Sequence, residues 1–186
     1  MFEIKRKLIH WLGLSVPLLY WFTSKTATLW FVGLAVVCGI FIEATRLKSE
    51  KFNQFIFKII GEYARTHEQK KITGATYYAV AAFLTVGFFS KKVAISSLLF
   101  LTLGDSVAAL VGTRFGSHAV FGKSIEGSLA CLFVCAVVGW LLLGWVGLIG
   151  AVAATVIELV PIPIDDNLRI PLVSGILMQG IKLLCE

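Results

Sequence analysis

Three glycine-punctuated pieces between residues 104 and 128 carry the groups that a phosphate site needs. They are Gly104-Asp105-Ser106, Gly112-Thr113-Arg114-Phe115-Gly116 and Gly122-Lys123-Ser124-Ile125-Glu126-Gly127-Ser128. Glycine lets backbone amides approach an anion closely, and Lys123 and Arg114 bring positive charge. Asp105 suits a divalent cation that bridges phosphates. The stretch is not a Walker loop. Gly-x4-Gly-Lys-Ser would need glycine at position 117, which is Ser117, and no strand is expected before it. The same residues also read as a charged, glycine-rich turn between helices.

A second candidate is Pro161-Ile162-Pro163-Ile164-Asp165-Asp166-Asn167-Leu168-Arg169-Ile170-Pro171. The prolines are expected to stop helices on both sides. Three successive oxygen-bearing side chains suit Mg2+ with several retained waters, and Arg169 can grip a phosphate. The alternative is a turn whose Asp or Asn caps the last helix. Two weaker candidates remain. Lys5, Arg6, Lys7 and His10 set a topology signal, with Arg6 and His10 one helical turn apart and able to meet a phosphate or headgroup. Thr73-Gly74-Ala75-Thr76 opens a hydrophobic segment, either as a small-residue packing face or as a helix N-terminus facing an anion. His67 and His118 are loop histidines with no partner spacing. Cys131 and Cys135 lie one helical turn apart in an apolar run without an accompanying His, which reads as core- or lipid-facing thiols.

The elements that must position these groups are hydrophobic. Of 186 residues, 58% are hydrophobic, and the mean hydropathy is +0.86. Soluble domains sit nearer about 45–50%. We therefore expect an all-α, polytopic integral membrane protein forming a single domain over 1–186. About seven transmembrane helices are expected, near 8–22, 27–45, 72–89, 93–111, 128–147, 148–160 and 170–185. Several runs are shorter than the ~20 residues a spanning helix needs, so some must extend into polar sequence or re-enter the membrane. Gly144, Gly147 and Gly150 punctuate the 148–160 run weakly. Residues 46–71 form a polar connection in which Phe52, Phe55, Ile56, Ile59 and Ile60 share one helical face. Lys51 and Lys58 flank that face, as an interfacial helix would require.

The net charge of +6 comes from basic residues between hydrophobic runs. That pattern reads as membrane topology and lipid-surface charge, not nucleic-acid binding. No small-residue cleavage site follows the first apolar run, so no signal peptide is marked. A cytoplasmic N-terminus leaves only Lys25, Lys91, Lys92 and Lys182, of 17 Lys and Arg, on the outer side. That orientation, chosen from cations alone, also puts Glu43, Asp105, Glu126, Glu158, Asp165 and Asp166 on the cytoplasmic side. Carboxylates in lipid-soluble segments are costly unless used.

Read in order, Glu3-x-Lys-Arg-Lys-x-x-His10, Glu43-x-x-Arg46, Lys71-x-Thr73-Gly74-Ala75-Thr76, Gly104-Asp105-Ser106-x-Ala108, Gly112-x-x-Phe115-Gly116, Lys123-Ser124-x-Glu126-Gly127-Ser128, Glu158 and Asp166-Asn167 with Pro171 resemble the polyprenol kinase family. That family includes dolichol kinase, phytol kinase and CTP-dependent diacylglycerol kinase. The resemblance covers nearly the whole chain, and the Gly-Asp to Lys-Ser-x-Glu-Gly block is its specific part. It implies γ-phosphate transfer from CTP, with Mg2+, to a lipid alcohol in the bilayer. The chain is much shorter than eukaryotic dolichol kinases, which suggests a minimal, prokaryotic form in the plasma membrane, and the cation distribution puts its active face on the cytoplasmic side.

On this basis Asp105, Lys123 and Asp166 are expected to carry the chemistry, and Asp105, Asp165 and Asp166 to hold the metal. The nucleotide is expected to meet Gly104, Gly112, Arg114, Gly116, Lys123, Ser124, Glu126, Gly127, Thr73, Gly74, Asn167, Arg169, Arg6, His10, Glu43 and Arg46. Glu126 would orient Lys123 or join the metal shell. Asp105, Asp166 and Glu158 are the candidate proton acceptors. The same block is similar to one in phosphatidate cytidylyltransferases, so CDP-lipid synthesis is an alternative. A cation-coupled transporter is the alternative from another class, but it would place acids near the midplane in repeated halves, and no repeat is visible. Small residues in the spans permit a homodimer.

Overall fold

The computed structural model describes residues 11–61 and 66–185. Arg6 and His10 lie outside the described residues. After a 3-10 turn at Trp11–Leu14, the chain forms α1 (Ser15–Phe22), α2 (Lys25–Lys48), α3 (Glu50–Ile60) and α4 (Gly74–Phe88). Next come α5 (Lys91–Leu99), a π-helical turn (Phe100–Asp105) and α6 (Ser106–Phe115), which together make one continuous helix. A short hairpin follows, β1 (Ala119–Val120) and β2 (Lys123–Ser124), and then α7 (Ile125–Leu143), α8 (Trp145–Leu159) and α9 (Asp166–Cys185).

Four helices are long and apolar enough to cross a membrane: Lys25–Lys48, Lys91–Phe115, Ile125–Leu143 and Asp166–Cys185. Trp11–Phe22, Gly74–Phe88 and Trp145–Leu159 are shorter apolar helices. Each hydrophobic segment in the sequence thus corresponds to a helix, and the long ones reach their length by running into polar sequence. The all-α expectation needs one amendment among the described residues, the antiparallel hairpin at 119–124.

Lys91–Phe115 is the central helix. In its most apolar stretch 72% of residues are buried, against 17% for α2. It packs against α1, α4, α7, α8 and α9. Val93, Ala94, Leu98, Phe100 and Leu101 meet Cys131, Cys135, Ala151, Ala154, Ile170 and Met178 in one core. The two thiols are therefore core-facing. The outward faces of α2 and α7 carry Trp30, Phe41, Phe133 and Leu141, all exposed, as lipid-facing helices require.

Local chemistry sets the helix ends. Ser24 Oγ accepts from Ala27 N at 3.2 Å at the start of α2, and Ser49 Oγ accepts from Phe52 N at 3.4 Å at the start of α3. Gly144 takes φ +59° between α7 and α8, a conformation that favours glycine. The prolines behave differently from expectation. Pro161 and Pro163 follow the end of α8, but Pro171 lies inside α9, which begins at Asp166. Pro171 stops nothing, because the turn before it is already nucleated. Its cost is a missing N–H for the carbonyl of Asn167.

Glycine also sets the α7–α8 distance. A Cβ at Gly139 would collide with the backbone of Gly147, and the reverse holds. Gly147→Val is therefore expected to cost about 1–3 kcal/mol or more by forcing the helices apart. Gly180→Ala, where a Cβ meets nothing within 4 Å, is the matched control. Thermal unfolding in detergent should lower the midpoint for the first variant and leave the second near wild type.

Candidate functional site

The π-helical turn interrupts the 3.6-residue repeat of the central helix and ends on Asp105. It brings Asp105, 6% exposed, to the wall of a cavity of about 570 Å³. The cavity is also lined by Ala108, Gly112 and Gly116 from α6 and the turn after it, Gly122 and Lys123 from the hairpin, Ser124, Gly127 and Ser128 around the start of α7, Glu158 of α8 and Asp166 of α9. The continuous stretch 105–128 thus meets the ends of two later helices, α8 and α9.

Glycines make this convergence possible. A Cβ on Gly112 would lie 2.7 Å from Ser124 Oγ, and one on Gly127 would lie 2.6 Å from the Ala108 carbonyl. Gly104 performs the same service behind the cavity, where a Cβ would meet Cys131 Sγ at 3.1 Å. Ser124 Oγ accepts from Gly127 N at 3.1 Å and so caps α7. The hairpin pairs Ala119 with Ser124 and Val120 with Lys123, and Phe121 and Gly122 turn it with φ of +52° and +80°. Two consecutive positive φ values are the signature of the tight hairpin turn that matches strand twist. That turn aims Lys123 back across the bundle.

Lys123 Nζ lies 2.7 Å from Glu158 Oε1 and 3.5 Å from Asp166 Oδ2, and also donates to the Glu158 carbonyl. The lysine is 31% exposed, while Glu158 is 5% and Asp166 17% exposed at the side chain. Asp166 is itself fixed by Arg169, whose Nε donates to Oδ1 at 2.8 Å and whose NH1 donates to the Val160 carbonyl at 2.7 Å. One cation is thus shared by two carboxylates from different helices, beside a third from the central helix.

Of the residues read from sequence, the cavity gathers Asp105, Gly112, Gly116, Lys123, Ser124, Gly127 and Asp166. Others lie elsewhere. Arg114 is exposed at the end of α6, with its guanidinium over the Phe115 ring. Glu126 does not orient Lys123. Its Oε1 is 2.8 Å from His118 Nδ1, so it ties the entry strand of the hairpin to α7. Asp165 caps α9, with Oδ1 accepting from Asn167 N at 2.9 Å and Asn167 Nδ2 at 2.7 Å. Arg169 is turned inward to Asp166, not toward the cavity. Thr73, Asn167, Glu43 and Arg46, all buried, and the half-buried Gly74 form a group behind the start of α9.

Glu158 is the residue that sequence reading left out of the binding set. It is the sole acid of its apolar helix, which was the available signal, but its pairing with Lys123 spans 35 positions. Its Oε2 is buried with no hydrogen-bond partner among the described residues. Among the described residues no three His, Cys, Asp or Glu converge as a preformed metal cage. Asp105 and Asp166, which line the same cavity, would suit Mg2+, which characteristically takes one or two carboxylates and completes its shell with phosphate and water.

Known proteins align along nearly the full chain. An uncharacterized protein of Rickettsia prowazekii is 30% identical over 92% of this chain and 90% of its own length. The CTP-dependent diacylglycerol kinase 1 of Saccharomyces cerevisiae is 25% identical over 96% of this chain and 73% of its own. The chloroplastic phytol kinase 1 of Arabidopsis thaliana is 27% identical over 92% of this chain and 64% of its own. No family model matches the chain, and no solved structure matches it.

Proposed function

The chain belongs to the polyprenol kinase family, and from that premise we propose that it transfers the γ-phosphate of CTP to a membrane lipid alcohol in the cavity under the 119–124 hairpin. The acceptor class is a polyprenol, a phytol-type isoprenoid alcohol or diacylglycerol. The observation that carries the reading is Lys123, held between Glu158 and Asp166 and facing the same cavity as Asp105. The whole chain acts as one membrane-embedded domain. Seven spans with a cytoplasmic N-terminus would open the cavity to the cytoplasm of a prokaryotic cell, in keeping with its cation distribution.

Phosphoryl transfer asks for positioning and charge neutralisation more than covalent chemistry. Lys123 supplies a cation beside the transferred group. Asp105 and Asp166 would hold Mg2+, which when bound neutralises triphosphate charge. Gly112, Gly116 and Gly127 keep the walls close enough for backbone to approach phosphate oxygens. The lipid hydroxyl attacks the γ-phosphorus, the bond from that phosphorus to the β-bridging oxygen breaks, and CDP leaves. Glu158 Oε2, buried and unpartnered, is the assigned acceptor of the hydroxyl proton. The apolar tail of the acceptor remains between lipid-facing helices.

The test is transfer by the purified protein in detergent with Mg2+ and CTP labelled on the γ-phosphate or, separately, on the base. Polyprenols, phytol, geranylgeraniol, diacylglycerol and phosphatidic acid are offered in turn. γ-Label appearing in a lipid alcohol is expected and names the substrate. Base label appearing in lipid from phosphatidic acid would replace this reading with CDP-lipid synthesis. No transfer from CTP, ATP or GTP to any lipid would overturn it.

A further inference from the structure

Glu43 and Arg46 carry opposite charges one helical turn apart on α2, yet neither reaches the cavity. Arg46 is 1% exposed and Glu43 6%. Two charges so deep in a membrane protein are costly unless they are paired and hydrogen-bonded, and here Arg46 Nε alone of the guanidinium nitrogens finds no partner among the described residues. Arg46 is engaged by the segment that precedes α4. Its NH1 donates to the Glu68 carbonyl at 3.0 Å, and its NH2 donates to the Lys71 carbonyl and pairs with Glu43. Glu43 Oε1 accepts from Thr73 N at 3.0 Å and Thr73 Oγ1 at 2.6 Å. The pair therefore clamps residues 68–73 from both sides. The same guanidinium reaches Asn53 Oδ1 at 3.3 Å and lies 5.4 Å from the Phe57 ring, which fastens α3 to this segment.

The clamped segment abuts the start of α9. A Cβ on Gly74 would lie 2.8 Å from Asn167 Nδ2 and 3.6 Å from Glu68 Oε1. Asn167 is 5% exposed and is bonded to the Asp165 cap, one residue from the Asp166 carboxylate that meets Lys123. We propose that Glu43 and Arg46 are positioning residues that set Asp166 against Lys123 through the 68–74 segment and Asn167, and that they do not bind the nucleotide. The inference rests on the kinase reading above for its consequence in turnover, but not for its structural part. Arg46 cannot be replaced by Lys without loss, because one ammonium cannot serve several carbonyls and a carboxylate in the fork geometry of guanidinium.

The test combines hydrogen exchange with kinetics on the full chain in detergent. In Arg46→Lys, amide exchange should rise together at 68–74 and 165–169. Turnover should fall about 10–100-fold, because small misplacements of reacting groups cost that much, with the KM for CTP changed less than about threefold. A KM raised about tenfold or more with kcat retained would make Arg46 a nucleotide ligand and overturn the proposal. Exchange that rises at 68–74 but not at 165–169 would also overturn it. The exchange result stands even if the wild type transfers no phosphate, so the two readings fail separately. Gly74→Ala keeps the ion pair and presses on Asn167 directly, which covers a failure of Arg46→Lys to fold. It should raise exchange at 165–169 and lower kcat, and wild-type values for both would overturn the proposal.

Discussion

Asp105→Asn is expected to lower γ-phosphate transfer by about a thousandfold while leaving the fold intact. The substitution keeps the shape of a side chain that is 6% exposed at the end of the π-helical turn, so packing of the central helix is preserved. What it removes is negative charge at the cavity wall, where a cation on the triphosphate would sit. Lost charge of this kind acts on the transition state, so kcat should fall more than nucleotide binding. Labelled transfer and thermal unfolding, measured side by side, check the claim. Activity within about tenfold of wild type would remove Asp105 from the phosphates. A collapse in melting temperature would instead make it a structural carboxylate.

Lys123→Ala has the second large effect, and it acts on both function and stability. Removing the lysine leaves Glu158 and Asp166 facing one cavity without the cation they share. Breaking a fully buried pair costs about 3–5 kcal/mol. The 31% exposure of Lys123 admits water and screens the loss, so about 1–3 kcal/mol is expected here. Turnover should fall about a hundredfold or more, since under the proposed kinase reading the same ammonium would neutralise the transferred phosphate. The double variant Lys123→Met with Glu158→Gln separates the two effects. It removes cation and buried anion together, so the melting temperature should recover while activity stays lost. Recovery of both would mean that Lys123 only balances Glu158. Failure to recover stability would mean that the pair is not the source of the loss.

The parts of the fold legible in the sequence were those written in consecutive residues. Apolar runs at 27–45 and 93–111 announce helices because a backbone in lipid must satisfy its own hydrogen bonds. The interfacial pattern of 52–60 announces α3 for the same local reason. Less legible were features that depend on a neighbour. Pro171 looks like a stop until the helix is seen to start five residues earlier, at Asp166. Lys123-Ser124 looks like a loop until its pairing with Ala119-Val120 makes it a hairpin. Glu126 looks like the partner of Lys123 because it is near in sequence, but the hairpin points Lys123 the other way and leaves Glu126 to His118.

Consecutive residues alone mark an apolar, helical chain of membrane type with a glycine-rich, charged block, and they bring Asp105, Lys123 and Asp166 forward as candidates. Residue type and local spacing are sufficient for that. Helix packing sets which charges share a cavity and which hold each other. It set Glu158 against Lys123, turned Arg169 onto Asp166, and locked Arg46 with Glu43 behind the site. The reason is physical. A charge in a low-dielectric interior takes the partner that helix packing brings within about 3–4 Å, and sequence distance does not enter that energy.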